Sequence, residues 1–111
     1  MPERTVFFVS DGTGITAETF GNSILAQFAA KPRHVRRPFI DTPEKARQVR
    51  AEIDATAERE GKRPIVFVTL VREDVRDILT GDGAEGCKGL VMDMFRTFVE
   101  PLEVEFGVKS N

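Results

Sequence analysis

Val6-Phe7-Phe8-Val9-Ser10-Asp11-Gly12-Thr13-Gly14-Ile15-Thr16-Ala17-Glu18 is the stretch that decides the fold. Four consecutive β-branched or aromatic residues, with no polar alternation, specify a strand covered on both faces. Ser10-Asp11-Gly12 ends the strand as a turn. Beyond it Phe20, Ile24 and Phe28 recur at helical spacing with Leu25 alongside, which predicts a helix from about Ile15 to about Ala30 with one apolar stripe. Pro32 closes it.

The same alternation continues downstream. His34 to Ile40 reads as a second strand, and Arg36, Arg37 and Pro38 place it at a sheet edge. Thr42-Pro43-Glu44 is a helix start, with a capping hydroxyl, a proline suited to the first helical position and an acid at the positive end of the dipole. Gly61 ends that helix. Ala46, Val49, Ile53 and Ala57 form its inner face, while Lys45, Arg47, Arg50, Glu52, Asp54, Glu58 and Arg59 form a solvated one. Pro64 opens a second doubly buried strand, Ile65 to Val71, followed by a helix at about Arg72 to Leu79 and a flexible loop from Thr80 to Gly86. Gly89 to Asp93 reads as a short fourth strand, and Phe95, Phe98, Val99, Leu102 and Phe106 as a closing helix interrupted or started near Pro101. Together these predict one domain: an open, mainly parallel α/β sheet of about four strands with helices on both faces, Rossmann-like.

Composition narrows the function classes. With 111 residues, 16 basic and 18 acidic, the net charge is −2, too small to meet the field of a nucleic acid or an anionic membrane. One cysteine, Cys87, and one histidine, His34, exclude an internal disulfide and any multi-thiolate or multi-histidine metal site, so no metal is expected. The apolar run Val6 to Val9 is too short for a signal-peptide core, and nothing in the chain reaches membrane length. The expectation is a soluble, cytoplasmic protein.

Ligands of such sheets bind outside the carboxyl ends of the strands, where this chain carries Ser10, Asp11, Gly12, Thr13, Gly14 and Thr16. Glycines allow close backbone approach, hydroxyls can donate hydrogen bonds, and the following helix aims free amides at the same spot, so these six residues are candidates for binding phosphate or another anion. A tight turn using glycine for positive φ and threonine for capping explains the same residues, and both readings stand. Gly12-x-Gly14-x-x-Ala17 also matches the alanine-ended dinucleotide fingerprint, with Asp41 as the ribose candidate. Against it, Asp41 also suits the start of the Thr42-Pro43 helix, and Asp11 would repel a pyrophosphate. Arg33, His34, Arg36 and Arg37 form the one basic strip, either a docking surface for an acidic or phosphorylated partner or a guard against edge-to-edge sheet pairing. His34 alone specifies no catalytic triad, and Cys87, between Gly86 and Lys88, reads as a loop residue rather than a nucleophile.

The opening VFFVSDGTGITAETFGNSILAQF, the helix start DTPEKA, the strand PIVFVTLV and the late segment MDMFRTFVEPLE together resemble the N-terminal half of the regulatory kinase/pyrophosphorylase family. Its members are the phosphoenolpyruvate synthetase and the pyruvate, phosphate dikinase regulatory proteins. The resemblance implies a bifunctional switch, using ADP (or ATP) to phosphorylate a threonine of the target enzyme and inorganic phosphate to remove that group as pyrophosphate. It places the nucleotide-binding P-loop, with a pattern like G-V-S-R-x-x-K-T-P, in the second half of the family's chain. Neither Gly61-Lys62-Arg63-Pro64 nor Lys109-Ser110 substitutes for it. The chain is therefore expected to be one α/β domain of a longer protein, without a cofactor of its own and inactive alone. Its expected partners are the synthetase or dikinase and its own C-terminal domain, which would cover the Phe95 to Phe106 apolar series; left uncovered, that series would favour a homo-oligomer. The resemblance assigns no catalytic residue within the chain. A docking module without chemistry, or a nicotinamide-dependent oxidoreductase built on Gly12, Gly14 and Ala17, are the alternative functions.

Overall fold

In the computed structural model, which describes residues 4–29, 31–80 and 87–109, β1 (Thr5–Ser10) lies between two parallel neighbours, β2 (Arg33–Arg37) and β3 (Ile65–Thr69). β4 (Leu90–Asp93) pairs in parallel with β3. The order β2-β1-β3-β4 is the open parallel sheet expected from the sequence, with β2 at the edge. α1 (Ile15–Leu25), α2 (Pro43–Glu60) and α3 (Glu73–Thr80) connect the strands, and after β4 a π-helical turn at Phe95–Val99 runs into α4 (Glu100–Phe106). The expected Thr80 to Gly86 loop falls mostly on residues 81–86, outside the described residues, and Thr80 itself ends α3. Among the described residues, no helix is long and apolar enough to cross a membrane.

Side chains alternate across the sheet, so each strand feeds two cores. Phe7, Val9, Val66 and Val68 pack with Val49 and Ile53 of α2 and Val75 and Leu79 of α3. On the opposite face Val6, Phe8 and Phe67 pack with Ala17 of α1. On α2 the inner face runs Ala46, Val49, Ile53 and then Thr56 rather than Ala57, and the buried Thr56 hydroxyl donates to the Glu52 carbonyl at 2.8 Å and accepts from Arg59 at 3.4 Å.

Four expectations need correction. The strand expected to run to Val71 ends at Thr69, after which the Val71 amide donates to the Asp11 carboxylate. The helix expected to reach Ala30 ends at Leu25, where the Gln27 and Phe28 amides bond to carbonyls only three residues back and tighten the chain into turns. Its expected stripe of Phe20, Ile24 and Phe28 is not the buried one: Phe28 is 64% exposed, and Ala17 and Gly21 face the sheet instead. The physical reason is close approach, since the stacked rings of Phe8 and Phe67 fill the space where a larger side chain would sit. The second strand stops at Arg37, short of the expected Ile40, because the Phe39 and Ile40 amides leave the ladder and donate to the Gly12 and Ser10 carbonyls, each at 2.8 Å.

Gly21 offers a test in which two effects oppose. A Cβ there would lie 2.5 Å from Phe8 Cε1 and 3.1 Å from Phe67 Cδ2. Alanine in mid-helix gains about 1 kcal/mol of propensity, whereas overpacking a rigid aromatic contact costs about 1–3 kcal/mol. Gly21→Ala is expected to lower stability by about 1 kcal/mol, read as a reduced midpoint in urea with unchanged slope; a stabilised variant would show that α1 does not sit this close.

Candidate functional site

A crevice opens in a parallel sheet where connections from adjacent strands leave in opposite directions. Here α1 carries the chain from β1 to β2 on one side, whereas β3 lies on the other, so the crevice falls between the carboxyl ends of β1 and β3, where Ser10 and Thr69 are register partners. Gly14 begins α1 at φ 85°, a left-handed conformation that accounts for glycine at that position. Ser10 Oγ accepts the Gly12 amide at 3.1 Å and Thr13 Oγ1 the Ile15 amide at 3.4 Å. Asp11 reaches across the crevice, its carboxylate accepting the Val71 amide at 3.0 Å. Hydrogen bonds to Ser10, Asp11 and Thr13 thus help fix the turn, although α1 has no side-chain hydrogen bond at its Gly14 cap. Thr16 is exposed on the first turn of α1.

Over this turn lies a cavity of about 500 Å³. Ser10 to Thr16 and Thr69 form its polar side; Phe20, Met94, Phe95, Phe98 and Val99 form its apolar side. Phe20 and Phe98 meet edge to face with ring centres 5.4 Å apart, tying the π-helical turn to α1. Asp11 is the sole charged residue lining it, and no lysine or arginine does. Sequence reasoning brought the turn to this edge but missed the apolar wall, because helical spacing around Phe95 and Phe98 says that a face is apolar and not where the helix passes.

The wall is held from behind by residues that sequence reasoning also missed. Arg76 on α3 and Asp93 at the end of β4 are both buried, and Nε faces Oδ2 at 3.4 Å without a well-formed hydrogen bond. Arg76 also reaches Glu100 at 3.5 Å, while the other Asp93 oxygen accepts the Arg96 amide at 3.1 Å. One arginine therefore joins α3, β4 and α4.

The whole of this arrangement lies within a stretch shared with known proteins. The kinase/pyrophosphorylase family model matches residues 6–111. The chain belongs to that family. It is 72% identical over all 111 residues to a protein of Methylibium petroleiphilum and 68% identical over 111 residues to one of Leptothrix cholodnii, covering 39% of each. It is 63% identical over 108 residues to one of Acidovorax sp. strain JS42, covering 38% of it. All three carry, as a provisional assignment, the name phosphoenolpyruvate synthase regulatory protein. The chain thus spans well under half the length of these relatives.

In this family member the basic strip does not stand free. Arg37 makes a two-point pair with Glu52 that raises its pKa, Arg33 lies 3.4 Å from Glu60, and Arg36 lies 3.8 Å from Glu18. His34 is exposed, its ring edge-on to Phe8 at 5.4 Å. Those carboxylates come from α1 and α2, so part of the helix face expected to be merely solvated clamps the sheet edge. Asp41 pairs with Lys45 at 2.9 Å, which lowers its pKa, and it does not line the cavity; the helix-start reading accounts for it. Burial pushes the Cys87 thiol pKa up, the opposite of an activated nucleophile. Among the described residues, no cluster of three histidine, cysteine or acidic side chains could hold a metal ion.

Two measurements follow from this geometry. Gly14 has a positive φ, and a Cβ there would meet Arg36 Cδ at 3.2 Å; Gly12 has no positive φ and its nearest neighbour would be Ser10 Oγ at 4.0 Å. Gly14→Val is therefore expected to cost about 2 kcal/mol in urea unfolding and Gly12→Ala much less; equal costs would remove the conformational distinction. Glu60 is pushed up by burial, but hydrogen bonds from the Thr5 hydroxyl and amide and from Arg33 outweigh this and hold its pKa below the ordinary glutamate value. A depressed folded-state pKa means stability present above the unfolded value of about 4.3 and lost as pH falls through the folded one. Glu60→Gln should accordingly be less stable than wild type at neutral pH, with the gap closing below about pH 4; a gap independent of pH would exclude a charge-based contribution.

Proposed function

We propose that this chain is the N-terminal α/β domain of a bifunctional regulatory enzyme. With ADP (or ATP) the whole protein phosphorylates a threonine of phosphoenolpyruvate synthase, or of pyruvate, phosphate dikinase; with inorganic phosphate it removes that phosphoryl group as pyrophosphate. The observation that carries this reading is the family match over residues 6–111, supported by the names of relatives up to 72% identical.

The crevice supports a division of labour within the whole protein. Phosphoryl transfer needs cations on the donor phosphates. No lysine or arginine lines this cavity, and Asp11 adds a negative charge, so donor phosphates belong with the family's P-loop and not here. The turn from Ser10 to Thr16 would hold free phosphate only weakly through its backbone amides. Docking of an acidic partner on Arg33, Arg36 and Arg37 loses its charge argument, since each already faces a carboxylate. Leu102 and Phe106, one turn apart on α4, are each more than half exposed, a face that the additional length found in the relatives would cover.

The test is an assay at the full length of the relatives, with phosphoenolpyruvate synthase as target. Incubation with ADP is expected to give phosphothreonine on the synthase by mass spectrometry and to lower its activity. Phosphate is expected to reverse both with release of pyrophosphate, and the 111-residue chain alone to do neither. Phosphothreonine formed by the 111-residue chain, or none formed by the longer protein, overturns the proposal.

A further inference from the structure

The crevice combines three properties that a phosphate site does not need. Its one charged lining group is a carboxylate, its polar side offers both hydroxyls and amides, and its opposite side is aromatic. Phe98 is 50% exposed and Phe95 partly so, and both line the crevice. Solvent-facing phenyl rings opposite hydrogen-bonding groups suit a flat ligand that is apolar on its faces and polar on its edge. An inorganic anion has no faces to stack and would meet Asp11. An aliphatic ligand would make no use of the carboxylate or the hydroxyls that line the crevice.

We infer that this crevice binds a nucleobase: a planar heteroaromatic ring lies against Phe95 and Phe98, with its edge toward Asp11, Ser10 and Thr69. The carboxylate of Asp11 accepts from a ring or exocyclic N–H or from a ribose hydroxyl, and its second role, accepting the Val71 amide, keeps it in place. The hydroxyls of Ser10 and Thr69, register partners on adjacent strands, offer a donor and an acceptor at the floor. A volume of about 500 Å³ is that of a small-molecule site, and it sits at the topological switch of the sheet, where ligands of such folds bind. The site recognises the base and not the phosphates, since nothing cationic lines it. It is separate from the phosphotransfer reading, because it involves no transfer step and stands or falls on this chain's own side chains.

The experiment titrates the 111-residue chain with adenosine, which carries base and ribose and no phosphate, and follows backbone amide and phenyl resonances by NMR. Saturable shifts are expected at Gly12, Gly14, Thr69 and Phe98, with a Kd of about 1 mM or below. Base stacking on a phenyl ring is worth about 1–3 kcal/mol, so Phe98→Leu, which keeps apolar bulk without the ring, should weaken binding about tenfold. Phe28→Leu, a ring on the exposed turn after α1, should leave it unchanged, and circular dichroism confirms that both variants are folded. Inorganic phosphate should shift the same amides less than adenosine at equal concentration. The inference is overturned if adenosine produces no saturable shift, if phosphate binds there more tightly than adenosine, or if folded Phe98→Leu binds adenosine as wild type does. None of these outcomes bears on whether a longer protein phosphorylates a threonine, so the two readings fail separately.

Discussion

The position of β1 between β2 and β3 is the constraint on which everything else depends. Val6, Phe7, Phe8 and Val9 are each no more than 1% exposed, and burying a side chain of this kind contributes about 1.5–3 kcal/mol. The ion pairs that decorate the sheet edge, with partly exposed partners, are worth about 0–1 kcal/mol each. Burial in β1 therefore sets the architecture, and the pairs on β2 trim it. Once a strand is buried on both faces and hydrogen-bonded on both sides, its following residues can leave only at the carboxyl edge. Neighbouring connections must then part around them, so the crevice follows from the burial of four residues.

The far wall of that crevice depends on a different kind of interaction. Arg76 and Asp93 are both buried charges, and removing one partner from such a pair leaves the other uncompensated, at a cost of about 3–5 kcal/mol. As a source of net stability the pair is a weak device, because an apolar pair of similar volume would do as well. What it supplies is direction. Asp93 accepts the Arg96 amide at the start of the π-helical turn while Arg76 reaches Glu100, so the backbone carrying Phe95 and Phe98 leaves β4 along one path. π-Helical turns recur at functional sites, and this one places two aromatic rings opposite the glycine turn.

Much of this was legible in the sequence, for identifiable reasons. Val6 to Val9 is an unbroken apolar run and Ile65 to Val68 another, each with one reading in a parallel sheet, and Thr42-Pro43-Glu44 with Gly61 brackets α2 to the residue. The turn from Ser10 to Thr16 was placed at the ligand-binding edge because strand and helix signals abut there. Contacts between distant segments were not legible. Nothing local shows that Glu60 reaches back to Thr5, that Asp11 meets Val71 sixty residues on, or that Arg76 pairs with Asp93. Phe39, left-handed at φ 59°, carries no sequence signal either; its amide donates to the Gly12 carbonyl.

The misreading of α1 explains how packing and site are linked. A hydrophobic stripe of large residues is normally the buried one, and Phe20, Ile24 and Phe28 fit that pattern by spacing. Yet Phe8 and Phe67 already fill the sheet face with a stacked pair, leaving α1 room to approach only through its small residues, Ala17 and Gly21. That rotation turns Phe20 away from the sheet and toward Phe98, where it becomes part of the crevice wall. A larger residue at position 21 would lift the helix, and the stripe could then rotate inward and take Phe20 out of the crevice. The small residue that looks least informative in the helix thus decides whether Phe20 joins the aromatic wall.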